Sequence, residues 1–273
     1  MLFRQLLHRP SSTLTYLIAS RHGGEALFID PVREHLELYL RLIEALDLRL
    51  VFAIDTHRHE DHESALEALL DHTQCVTAMG QESGADCVAR HVSDGEMIDI
   101  DGVKLEALYT PGHTEDSYSF RMDDRVFTGD TLLIRGTGRT DQGGDPRQQY
   151  DSLFSRLLSL PGRTLVYPAH DYQGRHVSSI ADERRFNPRL QVTSVDEYVS
   201  LMQRSRPSDP RLMDVVEAPS LRPSASLIRE LALLRSLLSP ADGVGDPVGP
   251  GAVAGGVVAG GVVAGSWVGS LDG

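Results

Sequence analysis

Six side chains able to bind a metal crowd into one short stretch of the sequence, Asp55-Thr56-His57-Arg58-His59-Glu60-Asp61-His62. The stretch follows the apolar run of residues 50–54, which is typical of a buried strand. Alternate side chains of an extended backbone point the same way, so we expect His57, His59 and Asp61 to converge on one point. Residues 63–70 have a helical pattern, which would put Asp61 and His62 at a helix start that favours a carboxylate. Imidazole and carboxylate are ligands for zinc, iron or manganese, and a solvated polar loop is the alternative.

The composition describes an ordinary globular protein and excludes several classes of partner. The chain has 273 residues, of which 41% are hydrophobic and 24% charged, which is enough for one large domain or two small ones. The formal net charge of −13 argues against a surface for nucleic acid or anionic membrane. The two cysteines, Cys75 and Cys87, make no disulfide framework, so we expect thiols in a reducing compartment.

The order of strand and helix patterns predicts two sheets with helices outside. Hairpin signals join several strands in the first half of the chain, for instance the Asp101-Gly102 turn, and helices interrupt at intervals. This mixture favours sheets packed face to face over a doubly wound parallel sheet. The predicted strands are residues 13–20, 25–30, 49–55, 75–79, 96–100, 104–110, 117–122, 125–128 and 164–168. The predicted helices are residues 34–46, 63–70, 82–90, 147–160, 180–185, 195–204 and 224–238.

Three more strand ends carry metal-binding side chains. His113 lies in the tight turn of residues 110–114, Asp130 follows the strand of residues 125–128, and His170 follows the strand of residues 164–168. Taken alone, Asp130 could cap a turn, and either histidine could be a satisfied core residue. Taken together with residues 57–62, they predict donors gathered on loops at one edge of a rigid sheet.

Four motifs, HxHxDH, PGHT, GDTLL and PAHDY, occur in this order, and the sequence resembles the metallo-β-lactamase superfamily. The resemblance implies an α/β fold, a four-layer αββα sandwich with metal in a cleft at one edge. The number of donors would support a dinuclear zinc hydrolase in which Asp130 bridges two ions and a hydroxide attacks the substrate. In that arrangement one ion takes His57, His59 and His113, and the other takes Asp61, His62 and His170.

A closer resemblance is to the persulfide dioxygenases, and it covers residues 2–222. It is carried by residues 3–6, 12–17, 28–32, 132–141, 167–172 and 185–190, and most specifically by residues 135–141 and 187–190. This family implies one Fe(II) per chain, held by His57, His113 and Asp130, with open positions for the persulfide sulfur and O2. Glutathione persulfide would be oxidised with O2 and water to sulfite and glutathione. The groups that orient the ligands would then be His59, Asp61, His62 and His170.

The same resemblance implies the groups that bind glutathione. They are Arg139, Asp141, Tyr172 and Arg222, with arginine suited to forked contacts with carboxylates. The sequence departs from the family pattern at Glu60, at residues 63–65 and at residues 142–144. These departures remove no ligand and bear on substrate preference.

The composition changes at about residue 240. We expect a catalytic domain over residues 1–239 and a disordered Gly/Val/Ala tail over residues 240–273, with a membrane role for the tail ranked behind disorder. Two alternative functions stay open, a zinc-dependent hydroxyacylglutathione hydrolase and a non-catalytic metal- or thiol-binding protein. We expect a cytoplasmic location, with the mitochondrial matrix as the alternative, and a homodimer stays open.

Overall fold

Two six-stranded β-sheets pack face to face in the computed structural model, which describes residues 1–204. Arg222, the predicted helix of residues 224–238 and the predicted tail of residues 240–273 lie outside the described residues. Within residues 1–204, no helix is both long enough and apolar enough to cross a membrane.

The first sheet is antiparallel at one side and parallel at the other. Its strands β1 to β3 are antiparallel, and β3 to β6 run parallel, with a helix in each of the first two parallel crossovers. In sheet order the strands are β1 (Leu2–His8), β2 (Thr13–Ala19), β3 (Glu25–Ile29), β4 (Arg49–Ile54), β5 (Val76–Gly80) and β6 (Arg90–Val92). The two helices are α1 (Leu36–Ala45), after a 3-10 turn at Arg33–His35, and α2 (Leu66–Thr73).

The second sheet is antiparallel except for one pair of strands, β10 and β11. In chain order its strands are β7 (Met97–Ile100), β8 (Val103–Tyr109), β9 (Tyr118–Arg121), β10 (Arg125–Gly129), β11 (Leu165–Pro168) and β12 (Ser178–Ser179). Its helices are α3 (Pro146–Asp151), which continues as a π-helical turn at Ser152–Leu157, α4 (Ile180–Phe186) and α5 (Val195–Arg204).

The apolar core lies in three layers. In β2, which is buried along its whole length, Tyr16 and its neighbours on the same face meet the second sheet, whereas Leu17 packs against the first pair of helices. Val126 and Val166 on the outer face of the second sheet pack against the helices α3 to α5. This arrangement confirms the predicted αββα sandwich. It also explains why β2 is buried along its whole length, because both of its faces are covered.

Two predicted helices differ from the structure. Helix α2 begins at Leu66 rather than residue 63, because Ser64 bridges to Val32 and the Ala65 amide donates to the Pro31 carbonyl. Asp61 and His62 therefore do not lie at a helix start. The helix predicted over residues 82–90 is wrong. A 3-10 turn at Gln81–Ser83 ends at Gly84 in a left-handed conformation, and β6 begins at residue 90.

Candidate metal centre

The predicted donors lie where the two sheets join at one edge. The amide of Tyr118 donates to the Thr56 carbonyl at 2.8 Å, and the amide of Leu14 donates to the Ala169 carbonyl at 2.7 Å. These bonds link the loops that follow β4 and β11 to the opposite sheet. The ends of strands from both sheets therefore present their side chains to one cleft.

His57, His113 and Asp130, which we call the triad, bring three ligand atoms together. The Oδ2 atom of Asp130 lies 3.6 Å from Nε2 of His113 and 4.0 Å from Nε2 of His57. Both separations are too long for a hydrogen bond. Ligands bonded at about 2.0–2.2 Å to one ion lie roughly 3–4 Å apart, so the triad suits a single metal ion.

Hydrogen bonds on the far side of each imidazole fix which nitrogen faces the centre. Nδ1 of His113 lies 2.8 Å from the Arg139 carbonyl oxygen, which can only accept. Nδ1 of His57 lies 2.9 Å from Oγ1 of Thr56, whose hydroxyl donates to Asp30. Both histidines therefore carry the proton on Nδ1 and turn a bare Nε2 toward Asp130. Burial and the neighbouring His59 and His113 keep the pKa of His57 well below its usual value, which favours the neutral, ligating form.

Three glycines let the backbone come close enough to form the triad. A Cβ at Gly112, whose φ is +130°, would lie 2.2 Å from the backbone nitrogen of Gln149. A Cβ at Gly129 would lie 2.8 Å from Oγ1 of Thr56, and one at Gly138 would lie 2.9 Å from Nδ1 of His113. Because no other residue fits these contacts without displacement, the glycines of PGHT and GDT and the second glycine of Gly136-Thr137-Gly138 are explained by packing.

His170 lies between two carboxylates. Its Nδ1 is 2.7 Å and 2.9 Å from the two oxygens of Asp130, and its Nε2 is 2.9 Å from Oδ2 of Asp61. Burial alone would lower the pKa of His170, but the charge and hydrogen bond of Asp130 outweigh it and hold that pKa well above the usual value. Burial would likewise raise the pKa of Asp130, and the nearby His170 instead holds it well below the usual value. Asp130 is therefore ionised and oriented.

His59 does not converge with His57 on one point, contrary to the expectation from alternation. Its Nε2 is 3.2 Å from Oδ1 of Asp30, and its buried Nδ1 has no hydrogen-bond partner among the described residues, because bends at residues 56–57 and 60–62 break the extended backbone. Burial would lower the pKa of His59, but the hydrogen bond and charge of Asp30 raise it to about 9. His59 and Asp30 thus form a buried ion pair behind the triad. Asp61 lies on another side, 3.9 Å from Nδ1 of His59.

The loop over residues 132–139 is fixed from behind by polar side chains of the outer helices. Nδ2 of Asn187 donates to the Gly136 carbonyl at 2.9 Å, and the Arg135 amide donates to the buried carboxylate of Glu183 at 2.8 Å. Nε2 of Gln149 donates to the Gly138 carbonyl at 2.9 Å. These bonds set the position of the carbonyl that orients His113. They also give structural reasons for the specific motif at residues 135–141.

A cavity of about 410 Å³ opens over the triad. Of the predicted glutathione-binding residues, Arg139 and Tyr172 line it, and Arg139 holds Asp141 in a forked ion pair with distances of 2.8 and 3.0 Å. Tyr172 stacks on His170 with its ring centroid 5.6 Å away. The remaining lining residues are Pro10, Ser11, His57, Arg58, Glu60, Asp61, His113, Thr114, Asp130, Gln142 and His170.

Sequence reasoning missed several residues of the centre. Asp30 accepts hydrogen bonds from the amide and hydroxyl of Thr56 and contacts His59, and Arg58 lines the cavity. Thr13 contacts Asp61, His62 and His170. A signal existed for Thr13, because it begins the strand predicted over residues 13–20. For Asp30 the only signal in the sequence was its position at the end of a predicted strand, just before Pro31.

Comparison with known proteins finds relatives that are similar over most of this chain. The model of the metallo-beta-lactamase superfamily matches residues 8–170. The mitochondrial persulfide dioxygenase ETHE1 of Homo sapiens is 40% identical over 228 residues, which are 81% of this chain and 88% of the relative. The crystal structure of ETHE1 from Myxococcus xanthus has 45% identity and a TM-score of 0.74, covering 78% of this chain and 95% of that one. A hydroxyacylglutathione hydrolase of Aeromonas salmonicida is 35% identical over 60% of this chain and 63% of its own length.

Proposed function

The chain belongs to the persulfide dioxygenases of the metallo-β-lactamase superfamily, and we propose that it oxidises glutathione persulfide with O2 at one Fe(II) held by His57, His113 and Asp130. One persulfide, one O2 and one water would give one glutathione, one sulfite and two protons. The observation that supports this most directly is the triad itself, two imidazoles and one carboxylate around a single point. Two histidines and one carboxylate are typical ligands of non-haem Fe(II) oxygenases.

The residues of the triad fit a resident metal ion. Both histidines turn an unprotonated Nε2 inward, and Asp130 is ionised and held by His170. When bound, Fe(II) supplies the redox chemistry by which O2 oxidises the terminal sulfur. The chain contributes the fixed orientation of its three ligands. The positive charge of His170, which contacts the Asp130 carboxylate, keeps that carboxylate anionic.

The cavity is suited to an anionic thiol of tripeptide size. Its volume of about 410 Å³ lies in the range of sites for small molecules. Among the described residues, the arginines that line it are Arg58 and Arg139, and they would meet the carboxylates of glutathione. Tyr172, stacked on His170, covers one side of the cavity and would shield the centre from water. Glu60 and Asp61 line the same cavity and would attract the glutathione ammonium group.

The second candidate function is a zinc-dependent hydroxyacylglutathione hydrolase. It is favoured by the similarity to the Aeromonas salmonicida hydrolase and by the extra donors Asp61, His62 and His170 beside the triad. Such a hydrolase would use two ions and no O2. The two candidates therefore differ in metal content and in whether O2 is consumed. They also differ in substrate, a persulfide for the dioxygenase and a thioester for the hydrolase.

O2 consumption with glutathione persulfide distinguishes the two candidates. The protein is purified without oxygen, and its iron and zinc are quantified on the same sample. We expect O2 uptake that is proportional to iron, with about one iron per chain, and loss of uptake in His113→Ala. His91→Ala is a matched control, because His91 is an exposed histidine on β6. Two zinc ions per chain, no O2 uptake and hydrolysis of a glutathione thioester would contradict the proposal.

A further inference from the structure

The hydroxyl of Thr13 lies among the three side chains that could hold a second metal ion. Its Oγ1 is 3.2 Å from Oδ2 of Asp61, 3.3 Å from Nδ1 of His62 and 3.3 Å from Nε2 of His170. In the dinuclear arrangement these three side chains, with Asp130 as a bridge, are the ligands of the second ion. Oδ2 of Asp61 and Nε2 of His170 thus face the Thr13 hydroxyl, whereas Nε2 of His62 is buried and has no hydrogen-bond partner among the described residues.

Hydrogen bonds also occupy the donors in a way that differs from the triad. Oδ2 of Asp61 is 2.9 Å from Nε2 of His170 and 3.0 Å from Nδ1 of His62, so protons lie between these atoms. Within the triad, the corresponding separations are 3.6 and 4.0 Å. The ligand atoms of the triad therefore surround a point without hydrogen bonds between them. Asp61, His62 and His170 instead form hydrogen bonds with one another and with Thr13.

The fold holds Thr13 in place from several directions. Thr13 is fully buried, begins β2 and pairs with His8 across β1. Its backbone also forms a bridge with His170, and the adjacent Leu14 amide donates to Ala169. On the far side, Oγ of Ser11 lies 2.6 Å from Oγ1 of Thr13. The backbone of Thr13 is therefore fixed between the two sheets, and Ser11 contacts its hydroxyl from the other side.

We propose that Thr13 is the specificity residue that restricts this centre to one metal ion. An ion bound at about 2.0–2.2 Å by Oδ2 of Asp61 and Nε2 of His170 would have to displace the Thr13 hydroxyl, which lies 3.2 and 3.3 Å from these same atoms. Excluding it also leaves His170 free to keep its proton toward Asp61 and to orient Asp130. The inference rests on the proposed function in one respect, that the triad is a single-ion site.

The test counts zinc ions per chain, because zinc binds without redox chemistry and independently of O2 turnover. Wild-type protein and variants are dialysed against excess Zn²⁺, and the bound metal is quantified by mass spectrometry. We expect one ion in the wild type and two in Thr13→Ala. Thr13→Ser keeps the hydroxyl and should retain one ion. Thr15→Ala removes another buried hydroxyl of β2, which faces the Asp30 carbonyl and Tyr39, and should also retain one ion.

The second ion of Thr13→Ala should disappear when Asp61→Asn is added, while the first ion stays. One ion in a folded Thr13→Ala chain would overturn the inference. Two ions in the wild-type chain, with the second one lost in Asp61→Asn, would overturn it as well. This second measurement does not depend on whether the Thr13 variants fold. The zinc count does not depend on O2 uptake. A chain without O2 uptake would contradict the proposed function, whereas an unexpected zinc count would contradict the inference about Thr13.

Discussion

The carbonyl oxygen of Arg139 accepts a hydrogen bond from Nδ1 of His113 at 2.8 Å. This bond joins the loop over residues 132–139 to a proposed metal ligand and fixes the ring so that Nε2 faces Asp130. The polar side chains behind the loop therefore act on the centre through one backbone atom. Changes to that loop should alter metal binding without touching the metal.

Gly138→Ala tests this relationship. The new Cβ would lie 2.3 Å from the Asp130 carbonyl oxygen and 2.9 Å from Nδ1 of His113, so the loop must move. We expect metal affinity to fall about 10–100-fold, as when a group that orients a ligand is lost. Gly162→Ala is the control, because its nearest contact is the Ala181 side chain at 3.2 Å, outside the centre. Metal affinity measured by competition with a chelator checks both variants, and equal affinities would contradict the prediction.

Asp130→Ala should reduce metal binding more than His170→Ala does. Asp130 is a proposed ligand, so its removal should abolish stoichiometric metal binding. His170 donates to Asp130 at 2.7 Å but is not a proposed ligand, so we expect its loss to weaken binding about 10–100-fold and no more. Metal content after dialysis against a series of buffered metal concentrations measures both. If His170→Ala bound no metal at any concentration, His170 would have to be a ligand.

Asp30→Asn should destabilise the fold. The Asp30 carboxylate is buried and pairs with His59 at 3.2 Å and with the Thr56 amide at 2.7 Å. The substitution removes the carboxylate closest to the buried imidazolium of His59, so we expect the free energy of unfolding to fall by about 3 kcal/mol. Denaturant unfolding measures it, with the exposed Asp71→Asn on α2 as the control. A change similar to that of the control would show that the ion pair contributes little.

Asn187→Ala should loosen the loop over residues 132–139. Asn187 is fully buried, and its amide donates to the Gly136 carbonyl and to Glu183, both at 2.9 Å. Removing the amide takes away one of two donors from the Gly136 carbonyl and from Oε2 of Glu183, which still accept from the Leu133 and Arg135 amides, so we expect a loss of about 0.5–1.5 kcal/mol of stability. Thermal unfolding checks the stability. Gln148→Ala, which removes an exposed amide from α3, is the control and should have a smaller effect.

The stability of the fold should fall at high pH, in part through Tyr39. Burial raises the pKa of Tyr39 to about 12, because its hydroxyl lies in the core between Thr15 and the Val32 amide. The unfolded chain loses this proton near pH 10. The contribution of the neutral hydroxyl is therefore complete below about pH 10 and is lost as the pH rises toward 12, at up to about 1.4 kcal/mol per pH unit. Tyr39→Phe should lessen this slope in denaturant unfolding, and an unchanged slope would contradict the prediction.

Much of the layered fold was predictable from local patterns. Alternation and turn signals located most of the strands, because the side-chain period of two and the turn residues are properties of neighbouring positions. Prediction failed at two helices, once through a contact distant in sequence and once through a local backbone conformation. Ser64 pairs with Val32 and delays the start of α2, and Gly84 adopts a left-handed conformation that ends a 3-10 turn. Helix propensity predicts neither feature.

The sequence by itself determined which donors exist and that strand ends would carry them, because the histidines and aspartates of HxHxDH, PGHT and GDT follow recognisable strands. Only the tertiary structure decided which of these donors form the triad and which have other partners. It gathers His57 and His113 around Asp130, sends His59 to Asp30, and sets Thr13 among the remaining donors. The physical reason is that these partners come from different strands of two sheets. Their distances depend on how the sheets join, and no local spacing in the chain records that.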